Sequence, residues 1–482
     1  MIVACRCLAV DKSPRGLNRA FLLLPLFSLT PLFSLALLFL MPSLSAEDPM
    51  ADPLQQEHEV PFDPFRGMDR DGRIPKVALP ADLEHPERWR YVPEARIKPG
   101  SMLERLWVTS FVSPILYFEE DVGLGGGVAI TDIDFRQQRR QEFGGLFLST
   151  TTEGQERYSL VWQRWLNRRA QPGGGVLTEE RSHLRGGMGY DRSLTRRFFG
   201  FGSASEKQDE TSYTDEVTYA QLLLQRSIPE AGDDWVVQFG GRIEHRNLYR
   251  GHVSNRPSTD DSYPELMAAA DSYGSVWVHG AIRYDLRDSQ ENPYRGWMVE
   301  AAVDVAPIQR GMNQPNNLIG AIWSSTASWT IPVPGLFHSG GVGQEENPPT
   351  DTFAVGARAW AASGDLPFWA LPSLGGADTL RGYIGNRFTD RAAWHAAAEW
   401  RTWVIPRGAA ITDSIRFERF GVALFYEAGS VAGQLSDVLR GRIHDSYGFG
   451  LRTLFERTAL FRADFGFSKE GSAFTLSYGL SF

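Results

Sequence analysis

From about residue 120 to the end of the chain, apolar side chains fall at alternate positions in runs of roughly ten to fourteen residues. Each run closes in a turn or a polar loop, and glycines and aromatics recur throughout. One such run means little. A long series of them is the pattern of strands that turn one face to lipid and the other to a polar lumen. Runs of this kind lie at 122–135, 142–151, 156–167, 182–191, 212–228, 234–247, 272–286, 295–306, 317–332, 351–361, 391–405, 415–428, 442–455, 458–467 and 472–482. A single-chain bacterial barrel carries an even number of strands, so one more is expected, from Leu103–Leu116 or from the region after Phe198. The fold class predicted is all-β, a transmembrane antiparallel β-barrel of 16 strands. In its last run Phe474, Leu476, Tyr478, Leu480 and Phe482 alternate with Ala473, Thr475, Ser477, Gly479 and Ser481. The glycines at 123 and 125–127 read as a barrel strand rather than a phosphate loop, because Val128, Ala129 and Ile130 continue the strand and no helix follows.

One stretch breaks the rhythm. Leu374 to Phe388 is glycine-rich and follows Pro367 and Pro372, so it reads as a loop. It is long, yet Leu380, Tyr383, Ile384 and Phe388 give it the composition of a folded segment, and long folded loops are usually functional. Arg381 sits at its centre beside Gly382, which would let the backbone turn tightly. A folded-in loop with a buried arginine must find carboxylates.

Strand parity says where they are. Trp394, Ala396, Ala398, Trp400 and Val404 share a face, which puts Glu399 on the other with His395 and Arg401. Phe420, Val422, Leu424 and Tyr426 turn Glu427 inward, and Phe461, Ala463, Phe465 and Phe467 turn Arg462 and Asp464 inward. Three acids thus line the lumen on strands after the loop, and Arg381 is expected to reach Glu399 and Glu427 as a forked, charge-assisted pair.

The first hundred residues change the picture in two ways. A basic region with Arg6, Lys12, Arg15 and Arg19 precedes an apolar run from Phe21 to Leu40. Ser43, Ser45 and Ala46 follow, which is the grammar of a signal peptide spanning 1–46. Cys5 and Cys7 are the only cysteines, so the exported chain has none for disulfides, thiol catalysis or zinc. Residues 47–115 are proline-rich at first and read as a periplasmic arm or linker, leaving 116–482 as the barrel. Net charge is −9, and removing the signal takes away four cations and one anion, so the mature chain is more acidic still. Nucleic acid is therefore not an expected partner. No metal or other cofactor is expected, because the histidines show no paired ligand spacing.

Leu380-Arg381-Gly382-Tyr383 with Asn386-Arg387-Phe388, Ala398-Glu399-Trp400-Arg401, Phe425-Tyr426-Glu427-Ala428-Gly429-Ser430-Val431, and Tyr284-Asp285-Leu286-Arg287-Asp288-Ser289 with Pro293 and Gly296 together resemble the motifs of the BamA/TamA superfamily of outer-membrane proteins, the bacterial surface antigens. The resemblance covers about residues 115–482. It implies a sixteen-strand barrel in a Gram-negative outer membrane and an inward-folded loop carrying the Arg-Gly-Tyr motif. It also implies a lumen lock made of Arg381, Gly382, Tyr383, Glu399, Glu427 and Asp464. The work it implies is insertion or translocation of proteins or lipids rather than enzymatic catalysis. Partners would be outer-membrane lipid, the assembly machinery for the chain's own insertion, and a separate periplasmic chain. Tyr478, Leu480 and Phe482 resemble the carboxy-terminal signal read by that machinery. The family's members that assemble other proteins usually carry POTRA domains, and residues 47–100 do not read as one. Two other readings stand beside this one: a passive pore or structural barrel, and a lipase using His444 and Ser446 of His444-Asp445-Ser446-Tyr447-Gly448.

Overall fold

The computed structural model describes residues 68, 71–74, 76–92, 109–119, 121–137, 140–171, 175–313, 316–341, 343, 345–411, 415–455 and 459–482. The expected signal peptide and the start of the arm lie outside the described residues. None of the described helices is long and apolar enough to cross a membrane, which leaves crossing to strands.

The strands follow the alternation closely. In chain order they are β1 Ser110–Glu119, β2 Gly123–Asp132, β3 Glu142–Thr151, β4 Glu156–Trp165, β5 His183–Phe198 and β6 Thr211–Ile228. Then come β7 Trp235–Arg250, β8 Tyr273–Asp285, β9 Gly296–Arg310, β10 Gly320–Val333 and β11 Asp351–Gly364. The last five are β12 Ala392–Ile405, β13 Arg416–Ala432, β14 His444–Phe455, β15 Ala459–Ser468 and β16 Gly471–Tyr478. Each pairs antiparallel with the next in one barrel sheet, to which the two-residue strand Ala409–Ala410 adds a short piece beside β13. The strand missing from the sequence count is β1, which begins inside the segment expected to be arm.

The outer face is lipid-ready. Phe239, Ile243, Trp323, Trp329, Leu424, Phe474 and Leu476 are exposed, as they should be when the solvent is hydrocarbon. Aromatics stack across the last strands there: Phe449 on Phe465 at 5.3 Å between ring centroids, and Phe465 on Phe474 at 4.7 Å. Such cross-strand pairs stabilise a sheet by up to about 1 kcal/mol each.

The final strand stops short of the expected residue 482. β15 begins at Ala459, so after the Phe461–Tyr478 pair the ladder runs out of partner. Gly479 then takes a left-handed φ of 78° that a glycine adopts without strain. The tail leaves the sheet. Tyr478 keeps the outward position expected of it, but Leu480 packs inside against Tyr294, Trp403, Leu454 and Leu460, and Phe482 packs against Ala354 and Ala397.

The arm is not a free linker. Residues 72–92 run along the turns at the end of the barrel that also bears β1's start. An added side chain at Gly72 would strike Arg407 and Gly408, between β12 and β13. The Ile74 carbonyl accepts from the Glu346 amide, between β10 and β11. Lys76 to Tyr91 face Asp288, Ser289, Tyr294 and Arg295, between β8 and β9. Arg88 donates to the Gly232 carbonyl and to Asp234, between β6 and β7. Trp89–Val92 then pairs with Val176–Glu179, between β4 and β5, in a small three-stranded sheet. The arm therefore visits five consecutive turns in order, as a belt. The lengths agree. Strands ~4.8 Å apart and tilted ~40° take up ~6 Å of rim each, or ~55 Å from β4 to β13, and about twenty extended residues reach ~65 Å.

Buried arginines tie the belt down. Beside Arg88, Arg181 donates to the carbonyls of Asp233, Asp285 and Arg287 at 3.1, 2.8 and 2.8 Å. Burial pushes the Arg181 guanidinium pKa down to about 10, so it stays charged at neutral pH. Arg88→Ala is expected to cost about 1–3 kcal/mol, because it strands a buried carboxylate and carbonyl. It should also speed trypsin cleavage at Arg73 and Lys76. Unchanged cleavage would mean that Arg88 does not anchor the belt.

Candidate functional site

The loop between β11 and β12 folds into the lumen. Its turn is set at Leu380, whose φ is 44°, and at Gly375 and Gly376, at 113° and 103°. The Gly375 amide donates to Thr379 Oγ1 at 3.0 Å, and the Tyr383 amide closes a turn on the Leu380 carbonyl at 2.8 Å. Leu374, Leu380, Tyr383 and Phe388 are buried together with Ala393 and Val431, which gives the loop an apolar core of its own. Gly382 serves a purpose other than the tight turn expected of it: an added Cβ there would meet the Phe467 carbonyl and the Ser446 side chain. It permits close approach of the loop to β14 and β15. The Gly382 carbonyl accepts from Ser468 Oγ at 2.9 Å.

Arg381 lies beneath this turn, 0% exposed. Its amide and Nε donate to the two oxygens of Glu427 at 2.6 and 3.0 Å. Its Nη1 donates to Glu399 Oε2 at 2.9 Å and to Asp464 Oδ2 at 3.2 Å. The guanidinium also stacks over the Phe425 ring at 3.5 Å from the centroid, a further stabilisation of about 1–2 kcal/mol when desolvated. The three acids expected on the lumen face thus meet at one arginine, Asp464 included.

Further cations complete the cluster. Arg401 Nε donates to Glu399 Oε1 at 2.8 Å. Arg452 bridges Glu399 and Asp464 at 3.0 and 2.7 Å, and Arg462 joins Asp464 at 2.9 Å and the loop's Asp378. Glu427 is also bonded by Ser446 Oγ at 3.0 Å. Alternate carboxylates and guanidinium groups satisfy one another, the condition under which buried charge is tolerated. Among the described residues no group of His, Cys, Asp and Glu could hold a metal ion.

Tyr383 stacks edge-on with Phe388 at 5.2 Å. Arg387 sits on the far side of the loop, donating to Glu470 at 2.7 and 2.9 Å and to Ser205 at 3.0 Å, with its plane over Phe199 and Phe388. Sequence reading missed this second anchor and Arg452. The motif Asn386-Arg387-Phe388 pointed to the first, and the inward parity of β14 could have given the second. His444 and Ser446 do not form a pair. The imidazole stacks on Phe388 at 3.7 Å and bonds the Ser203 carbonyl at 2.8 Å, while the Ser446 hydroxyl is committed to Glu427.

Residues 176–482 match the family profile described as the Omp85 superfamily domain. Among solved structures the chain is similar to BamA from Haemophilus ducreyi lacking POTRA domains 1–3, with 14% identity over 77% of this chain and 69% of that one and a TM-score of 0.44. It is similar also to CdiB from Acinetobacter baumannii, with 14% identity over 78% and 67% and a TM-score of 0.41. No curated protein sequence matches.

Proposed function

The chain belongs to the Omp85 superfamily, and from that premise we propose that it inserts or translocates proteins or lipids at the Gram-negative outer membrane. The observation that carries this reading is the arginine loop held inside the lumen by Glu399, Glu427 and Asp464. A buried, charge-paired plug fixes the wall of β12–β15 while leaving the rest of the lumen to adjust. In this reading Arg381, Gly382, Tyr383, Glu399, Glu427 and Asp464 are the lock, and no residue is a catalyst. Its surroundings are outer-membrane lipid, the assembly machinery that inserts the chain itself, and a separate periplasmic chain that delivers cargo. Export through a cleaved signal peptide belongs to the same proposal, as does an insertion signal that includes Tyr478, Leu480 and Phe482.

A second reading, the passive pore, has one observation in its favour. The opposite wall is polar and half-exposed: His279 bonds Asp304 at 2.8 Å and Gln238 at 3.3 Å, and Arg283 bonds Glu300 at 2.8 Å. Proteoliposomes separate the two. Insertion of an unfolded barrel protein should be faster in vesicles holding this chain than in empty ones, and Arg381→Ala should abolish the gain. Ion conductance with no gain in insertion would leave the pore.

A further inference from the structure

The inward-turned tail ends on a shaped place in the wall. The Phe482 ring lies against Ala354 and Ala397, and an added Cβ on Gly356 would collide with that ring. Gly356 pairs with Ala397 across the β11–β12 ladder, so neighbouring lumen-facing positions on the two strands are stripped of side-chain bulk where the ring sits. Beside this slot is Arg401, its guanidinium carbon 5.7 Å from the ring centroid. Arg401 is only 5% exposed, and although its Nε is held by Glu399, both Nη1 and Nη2 are buried without a hydrogen-bond partner. Leaving such donors open is costly unless something is meant to meet them. A planar fork with two free amino groups is complementary to a carboxylate. A slot one ring thick next to it is complementary to an aromatic group.

We propose that Ala354, Gly356, Ala397 and Arg401 form a binding site for an aromatic carboxylate, filled in this structure by the ring of the chain's own C-terminal residue. When the tail leaves, the same chemistry supplied by another source takes its place, with the ring in the slot and the carboxylate on Arg401. The site depends on the fold alone and stands whichever transport reading holds.

The test vacates the site and refills it. Phe482→Ala, refolded in detergent, is expected to melt at a lower temperature than wild type. N-acetylphenylalanine should restore the midpoint saturably, and N-acetylphenylalaninamide should bind at least tenfold more weakly. An octapeptide acid of residues 475–482 distinguishes the sources. Action by both acids means the site reads the terminal group alone, and action by the peptide only means it reads a chain end. Gly356→Leu in the Phe482→Ala background should abolish the response. An amide as effective as the acid, no response to either acid, or an unaffected Gly356→Leu variant would overturn the proposal. Should Phe482→Ala fail to refold, carboxypeptidase release of Phe482 from the full chain decides. Release should be several-fold faster in Gly356→Leu than in wild type, and equal rates would overturn the site.

Discussion

Arg381→Ala is expected to destabilise the refolded barrel by about 3–5 kcal/mol, since it leaves buried carboxylates without their shared cation. Glu399, Glu427 and Asp464 are each at most 1% exposed, so water cannot replace the lost guanidinium without the loop moving. Arg401, Arg452 and Arg462 soften the loss at Glu399 and Asp464. Glu427 has only Ser446 and His395 to fall back on, the latter at 3.5 Å. Coupling in a double-mutant cycle should therefore be larger for Arg381 with Glu427→Gln than with Glu399→Gln, within the range of about 0.5–3 kcal/mol seen for contacting residues. Arg381→Lys should rescue little, because one ammonium cannot serve three acids and stack on Phe425. The measurement is the unfolding midpoint of the barrel in detergent, read by heat-dependent gel migration. Strictly additive, wild-type-like variants would sink the lock.

Gly466→Val should be nearly as damaging without touching a charge. A Cβ at this position on β15 would occupy the space of the Arg381 carbonyl and the Gly382 amide, so the loop must lift or the strand must shift. Overpacking of this kind costs about 1–3 kcal/mol. The signature is local: trypsin should cut at Arg381 and Arg387, which are sheltered in the parent. Gly385→Ala is the control, since nothing lies within 4 Å of an added Cβ there, and it should leave both stability and cleavage unchanged. Resistance of Gly466→Val to trypsin would mean that the loop does not depend on this contact.

The strands were legible because lipid on one side and lumen on the other impose a strict two-residue period. That period also placed Glu399, Glu427 and Asp464 before any coordinates were needed. Reading failed where the period does not apply. Leu480 and Phe482 continue the alternation in letters, but a strand needs a partner, and β15 ends before they are reached. Gly382 was assigned the right importance for the wrong reason, because crowding between a loop and two distant strands leaves no local trace. Arg387 and Glu470, 83 residues apart in sequence, meet through a tertiary contact that no spacing rule encodes. The belt was legible only as proline-rich extended chain, and its docking sites lie on turns that each look ordinary alone.

The belt also carries a consequence for the order of events during assembly. Its seat is assembled from turns as remote in sequence as Arg407 and Gly408, so it does not exist until most of the barrel has been built. The segment made earliest is therefore among the last to settle, and it closes only the longest loops in the chain, where entropy is least forgiving. Until then residues 72–92 must wait beside a barrel whose rim is still being laid down. Their docking records that the turns from β4 to β13 have all arrived, which makes the arm a clock of completion written into the chain's own beginning.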